Sequence, residues 1–399
     1  MDNNINEQKI DYSVDARLVI SELEAVHPIF LLNEVPASYE KNKAEYLEFT
    51  SKAITFTEFR LATQKCLAIL GDGHIIAGLA CNSNPLYIDI DWIANDGKLY
   101  LLDERKKPTD VEIVSISGVP VNKITEQVDI YYTAENEAAK QNNYTIYCRR
   151  EDMFLLAGCS YTDSGIELQT SDGRTIICDA CSGTLTIKRE NYIIRHEMLG
   201  DVFYIDLRQF REDSSVDEMA EQIENAVDNG TKKFIIDVRD NYGGNSDVGE
   251  QLLQAMGMTA PDYGMFMRHS KLSQEQMSYK SDDKSFIWQP DASKAVPNEN
   301  IILLVLTNVE TFSSATMLGV WVQDGKLGKV VGQISSNKPN AYGEMLSIKL
   351  PVSKINFNIS CKRFLRPDIN ANPDSLIPDI EVPFGDDILT AALDYMSLI

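Results

Sequence analysis

Ser313 stands where an apolar run ends and a helical pattern begins, in Thr311-Phe312-Ser313-Ser314-Ala315. A hydroxyl at the start of a helix sits at the positive end of the helix dipole, which favours the alkoxide that a nucleophile must develop. The same hydroxyl is what an ordinary N-cap needs, so the segment alone leaves both uses open. A nucleophilic serine requires a base. Lys338 is one candidate, and it can act only if burial or a nearby positive charge lowers its pKa. His74, in Leu70-Gly-Asp-Gly-His74, is the other; it is one of four histidines and titrates near neutrality without any shift. Its plainer use is a turn histidine after a helix. Acyl transfer also needs donors for the developing oxyanion. In Asp237-Val-Arg-Asp-Asn-Tyr-Gly-Gly-Asn245 an apolar strand runs into Gly243 and Gly244, which let the backbone turn sharply and aim N–H groups at a ligand. They could equally form a tight turn before a helix. No Gly-Lys-Ser/Thr follows, so this is not a phosphate-binding P-loop.

These residues must be positioned by elements that the hydrophobic pattern predicts. VDARLVISELEAV spaces its apolar residues for one helix face, and Thr55 with Glu58 forms a capping-box pattern before a second helix that Gly71 is placed to end. Residues 86–190 are β-rich: LYIDIDWI alternates, VEIVSISGVPV reads as two strands around a Gly turn, and ELQTSDGRTIIC is a hairpin with Asp172-Gly173 at its turn. From about 200 the pattern alternates between strand and helix. VFYIDLRQF, FIIDV, IILLVLTN and KVVGQI are the strands; the helices start near Ser215, with a Ser215/Glu218 capping box, near Val248 and near Ser313. This is βαβ architecture, in which chemistry gathers where strands end and helices begin. The expected division is a helical region over 1–85, a β-rich segment over 86–190 and an α/β domain over 191–399.

Length, 399 residues, suits two or three domains with a well-buried core. The net charge of −23 sets the chain against nucleic acid and anionic lipid. The first residues, MDNNINEQKIDYSVD, lack a signal-peptide pattern, and no apolar run reaches the roughly 18 residues of a membrane span. Seven cysteines, an odd number, fit reduced thiols and a cytoplasmic setting; a signal peptide already removed from a secreted protein would leave the same picture. Cys178 and Cys181 have zinc-ligand spacing without a second pair, so no metal is expected, and they are read as two thiols on a hairpin strand. Trp92, Trp288 and Trp321 lie in apolar contexts and are expected in the core.

Taken together, the motifs resemble the tail-specific, or carboxyl-terminal processing, serine peptidases, the family that includes the tricorn core enzymes. Asp237 to Gly244 is similar to that family's Asp-Leu-Arg-x-Asn-x-Gly-Gly strand and turn, and Thr311 to Ala315 to its Thr-Phe-Ser-Ser-Ala-Glu nucleophile segment. Lys338 lies 25 residues after Ser313, the spacing of the family's Ser–Lys dyad. GQISSNKPNAYGE, Leu70 to His74 and Ile377-Pro-Asp-Ile-Glu-Val resemble three further stretches of one bacterial branch. The resemblance spans about residues 55 to 390. It implies an α/β catalytic domain of the Clp-protease and crotonase type, an N-terminal helical region and a PDZ-like insert, with Ile113 to Val121 matching the PDZ stretch Ile-x-x-Ile-Asn-Gly-x-x-Val. No clear carboxylate-binding loop precedes that stretch.

What the resemblance implies chemically is a cofactor-free serine endopeptidase acting on polypeptides. Ser313 forms an acyl-enzyme, and the oxyanion sits between the N–H of Ser314 and that of Gly243 or Gly244. Either Lys338, as in the dyad enzymes, or His74, as in the tricorn branch, is the base. Tyr342 stands where the dyad enzymes often carry a lysine-orienting Gln, and Glu344 is the candidate acidic partner. The sequence departs from the pattern at Thr316, where the family has Glu, and at Ile75, where it has Thr. The alternatives are a non-catalytic protein binding a peptide or an apolar ligand on the same scaffold, and a crotonase-type acyl-CoA enzyme that needs no serine nucleophile.

Overall fold

The strand Val202–Leu207 is buried at every position, which only a strand covered on both faces can be. In the computed structural model, which describes residues 8–75, 86–162, 165–182 and 192–399, it belongs to a six-stranded sheet. The order is Ile194–Leu199, Val202–Leu207, Lys233–Asp237, Ile302–Thr307, Lys329–Gly332, Ile380–Glu381. The first pair is antiparallel and the others are parallel. Side chains alternate across the sheet. Phe203, Ile205, Phe234, Ile236, Leu303 and Val305 pack under the helices Ser214–Asp228, Asp247–Ala255 and Ser314–Asp324. Tyr204, Ile235, Leu304 and Leu306 face the C-terminal helix Ile388–Ser397. The parallel strands end on one edge, so the turns that follow Asp237, Thr307 and Gly332 come together there.

One predicted cap is replaced. Asp213, not Ser215, caps the helix Ser214–Asp228, accepting the Ser215 N–H at 2.8 Å. Asp and Ser are comparable caps, and the aspartate comes first in the chain.

The N-terminal helices Ser13–Val26 and Phe56–Ala68 form as the pattern predicts, the second with its Thr55/Glu58 capping box; the helix Tyr39–Thr50 lies between them. They bury their apolar faces against strands from the last third of the chain. A four-stranded antiparallel sheet runs Ser285–Trp288, Gly264–Arg268, Asn356–Leu365, Tyr342–Lys349. Leu23, Phe59 and Leu67 pack on its Leu346, Phe357 and Ile359. Buried Asp15 adds a polar tie, accepting the N–H groups of Val352 at 2.9 Å and Ser353 at 2.6 Å. This long-range packing carries the segment after Phe56–Ala68, and His74 with it, to the edge where the parallel strands end.

The middle segment pairs Trp92–Asn95, Lys98–Leu102, Pro108–Ile116, Ile166–Thr170 and Thr175–Cys178 in one sheet, with the predicted hairpins in place. It also holds three helices that the pattern does not announce: Val121–Tyr131, Glu137–Tyr147 and Glu151–Leu156. Glu137–Tyr147 escapes because its buried face includes Gln141, Asn142 and Thr145, which blur the apolar period. Trp92 and Trp321 are core residues, but Trp288 is 48% exposed, on the edge strand of the four-stranded sheet. An apolar neighbourhood in sequence does not supply a covering element in space. The six cysteines among the described residues are free; Cys81 and the first seven residues lie outside them. Among the described residues no helix is long and apolar enough to cross a membrane.

Candidate active site

Ser313 immediately precedes the helix Ser314–Asp324 with φ 53° and ψ −126°, and its side chain makes no capping bond. A non-glycine residue held there costs of order 1–3 kcal/mol, so its surroundings must over-determine the turn. They do. The Ser313 N–H donates to Asn337 Oδ1 at 3.1 Å, and the Phe312 N–H donates to the Asn241 carbonyl at 2.9 Å. Thr311 Oγ1 donates to the Val238 carbonyl at 3.0 Å. The hydroxyl freed from capping lies 3.1 Å from His74 Nε2.

The glycine turn is pressed against this serine. A Cβ on Gly243 (φ 87°) would lie 2.7 Å from both Ser313 Cβ and the Ser314 nitrogen, and one on Gly244 (φ 140°) 2.1 Å from the Phe210 carbonyl oxygen. Both positions therefore exclude any side chain. Buried Asn241 shapes the turn: its Nδ2 donates to the Leu207 carbonyl at 2.8 Å, and its Oδ1 accepts the Gly243 N–H at 2.8 Å. That bond takes Gly243 out of the pair of donors expected from sequence. Among the described residues, neither the Gly244 nor the Ser314 N–H meets a protein acceptor, and both residues line the cleft at Ser313. Ser314 Oγ ties the two turns together by donating to the Gly244 carbonyl at 2.7 Å.

His74 is held from behind by buried Asp72. The His74 N–H donates to Asp72 Oδ1 at 2.8 Å, and the ring Nδ1 lies 3.6 Å from the same oxygen, an ion-pair distance rather than a hydrogen bond. The ring packs on Phe312 with centroids 4.7 Å apart. Asp72 also accepts Ser360 Oγ at 2.6 Å and contacts His27 Nε2 at 3.1 Å. His27 Nδ1 accepts the Ile29 N–H at 3.2 Å, so the ring proton is on Nε2 and points at Asp72. Burial would raise the Asp72 pKa, but the His27 and His74 contacts outweigh it and hold the carboxyl below the ordinary range. Burial would depress the His74 pKa; the adjacent Asp72 carboxylate, with Glu135 behind it, outweighs it and raises the imidazole above 6.5.

The cleft has a volume of about 570 Å³ and is lined by Ser313, His74 and Gly244, among others. Lys338, Tyr342 and Glu344 also line it, but their functional groups are engaged away from Ser313. The Lys338 amine pairs with Asp374 at 3.0 Å with about a third of its side chain exposed. The Tyr342 hydroxyl donates to Glu34 at 2.8 Å, not to Lys338, and its ring lies under the Arg363 guanidinium. Glu344 pairs with Lys362 at 2.9 Å and does not contact His74. Lys338 thus lines the cleft at its spacing from Ser313, but a competing carboxylate takes the amine.

Four residues of the site are not singled out by sequence reasoning: Asp72, His27, Glu135 and Asn337. Asp72 has a signal, since it lies two residues before His74 in the same Gly-Asp-Gly-His stretch. The others carry none, because each is brought in by packing between distant segments. Among the described residues, Asp72, His74 and Glu135 are the one trio whose potential ligand atoms lie within 4.8 Å of one another. The hydrogen bonds to Asp72 and Glu135 account for that clustering without an ion.

Residues 201–382 match the family model described as peptidase family S41. No curated protein matches the chain in sequence. Among solved structures, mature CPAF complexed with lactacystin is similar over 97% of this chain and 97% of its own, at 13% identity and a TM-score of 0.67. A second structure of mature CPAF gives 14% identity and a TM-score of 0.65, over 97% of this chain and 95% of that one. At such identities the likeness is one of fold. The family match covers the parallel strands, the glycine turn, the Ser313 turn and the Lys338 loop.

Proposed function

We propose that this protein is a serine endopeptidase that cleaves polypeptides through an acyl-enzyme on Ser313, with His74 as general base and Asp72 behind it. The observation that carries the reading is the 3.1 Å contact between a strained, non-capping serine hydroxyl and a partly buried imidazole. Ser313 Oγ attacks the scissile carbonyl carbon as His74 Nε2 takes its proton. The oxyanion is received by the N–H groups of Ser314 and Gly244. His74 then protonates the leaving amine, the peptide C–N bond breaks, and the acyl-enzyme remains. Water, deprotonated by His74, cleaves the ester and restores Ser313. Asp72 fixes the imidazole and favours its protonated form, as its charge requires. We place the α/β domain in the Clp-protease and crotonase type, and read the middle segment as a PDZ-like insert. The sheet order of the one and the strand-turn-strand at Pro108–Pro120 of the other support this.

A fluorophosphonate probe and intact mass test the reading. The wild type should gain one adduct that Ser313→Ala lacks, and lactacystin, found complexed with a structural neighbour, should compete with it. A folded wild type that gains no adduct would overturn the peptidase reading in favour of a ligand-binding protein on the same scaffold.

A further inference from the structure

Glu135 belongs to neither the base loop nor the nucleophile turn, yet it touches the first and reaches the second through one side chain. It lies in the link between the helices Val121–Tyr131 and Glu137–Tyr147 and is 7% exposed. One oxygen, Oε1, accepts the Gly73 N–H at 2.8 Å, next to His74. The other, Oε2, accepts the Lys338 N–H at 2.9 Å and the Asn337 Nδ2 at 2.7 Å. Asn337 Oδ1 in turn accepts the Ser313 N–H at 3.1 Å. Two side chains thus join the backbone beside the base to the backbone of the nucleophile. Gly73 is fitted to this contact, because a Cβ there would lie 2.9 Å from Glu135 Oε1.

Burying a carboxylate costs several kcal/mol before its partners compensate, so three donors on one buried carboxylate are a costly way to make a plain structural contact. What they achieve is a fixed distance. Ser313 holds a strained φ that must be imposed from outside, and Asn337 is what holds its N–H. Asn337 has its own side-chain amide held by Glu135. We propose that Glu135 is a positioning residue through which the middle segment sets the geometry of the Ser313–His74 pair. This rests on the reading of Ser313 and His74 as the catalytic pair. The consequence is that the middle segment completes the active site: displacing the link at Glu135 releases both loops at once.

The test is a pair of complementary substitutions. All three groups facing Glu135 are donors, so Glu135→Gln turns its amide against at least one of them. Asn337→Asp keeps an acceptor for the Ser313 N–H but sets two carboxylates together. In the double variant E135Q/N337D the introduced amide can donate to the introduced carboxylate, so the arm to residue 337 is remade while the Lys338 N–H loses its acceptor. Labelling of Ser313 by the fluorophosphonate should slow by about 10- to 100-fold in each single variant, the scale of a small misplacement of reacting groups. It should recover by about tenfold in the double variant. Amide hydrogen exchange at Ser313 should speed up in both single variants and slow again in the double, whether or not the protein turns over. Single variants that label and exchange like the wild type would overturn the proposal, as would a double variant no better than the product of the two losses. Should E135Q fail to fold, N337D alone decides by the same two readouts. A wild type that never labels would refute the catalytic reading instead, and the exchange rates would still decide whether Glu135 holds the Ser313 turn.

Discussion

The Ser313 side of the cleft is made of backbone, and the His74 side of side chains packed behind the imidazole. Ser313, Ser314, Gly243 and Gly244 act through a strained turn, two close approaches and two N–H groups that lack protein acceptors among the described residues. His74 sits on a chain of hydrogen-bonded and charged groups: Asp72 beneath it, then His27 and Ser360, with Glu135 alongside. The first side is rigid because its strands are central to the sheet and its glycines admit no alternative. The second is assembled from the N-terminal helices, the middle segment and the late hairpin, so its order depends on packing between segments far apart in sequence. Damage to the first side should alter shape, and damage to the second should alter proton affinity.

The largest effect is expected at His74. His74→Ala should slow fluorophosphonate labelling by about 10²- to 10⁴-fold, the usual contribution of a positioned base, with the fold intact. Labelling that survived this change would mean that His74 is a neighbour of Ser313 rather than its base.

Gly243→Ala probes the other side. Its Cβ would meet Ser313 Cβ and the Ser314 nitrogen at 2.7 Å, and φ 87° is unfavourable for alanine besides. We expect labelling to fall by about 10²-fold, with the pH dependence of the remaining reaction unchanged, because shape is lost and proton affinity is not. A changed pH profile in this variant would blur the division between the two sides.

Asp72→Asn reverses that pattern. In the wild type labelling should rise with pH through a midpoint above 6.5, because His74 must be neutral to accept a proton and its pKa is raised. Without Asp72 the burial of His74 is left to act, and burial lowers an imidazole pKa, so the midpoint should move down. Stability should fall by about 3 kcal/mol at neutral pH, the lower end of the cost of removing one partner from a buried charged pair. The sign follows from linkage: Asp72 has a depressed folded-state pKa, so its contribution is present above the ordinary carboxylate range and is lost as pH falls through the folded value. A midpoint that stayed put would show that Asp72 does not set the basicity of His74.

The two sides also differ in how far the sequence announces them. The glycine turn and the Ser313 turn each follow a continuous apolar strand, FIIDV and IILLVLTN, and local rules suffice to place both at one sheet edge. His74 is visible as a rare residue type after a helix, but what makes it basic is not. His27 lies 45 residues before Asp72 and Ser360 288 residues after it, and no periodicity links them. Glu135 sits beside a helix whose polar inner face hides it. Lys338 and Tyr342 stand at the expected spacing yet are turned away for the same reason: Asp374 and Glu34, which take up their functional groups, are long-range neighbours.

The Lys338 side chain should matter least. Lys338 contributes to the site through its backbone, whose N–H is held by Glu135 at 2.9 Å, while its amine is paired with Asp374 near solvent. Truncating the side chain therefore removes an exposed ion pair worth about 0–1 kcal/mol and leaves the backbone contact in place. Lys338→Ala should label within about threefold of the wild-type rate, with an unchanged pH midpoint and little change in melting temperature. A lysine base would give the opposite result: labelling lost to the extent seen for His74→Ala, and a pH profile governed by an amine. The two outcomes are separated by at least an order of magnitude in rate, so one variant decides whether the charge on this loop takes part in the chemistry or only borders it.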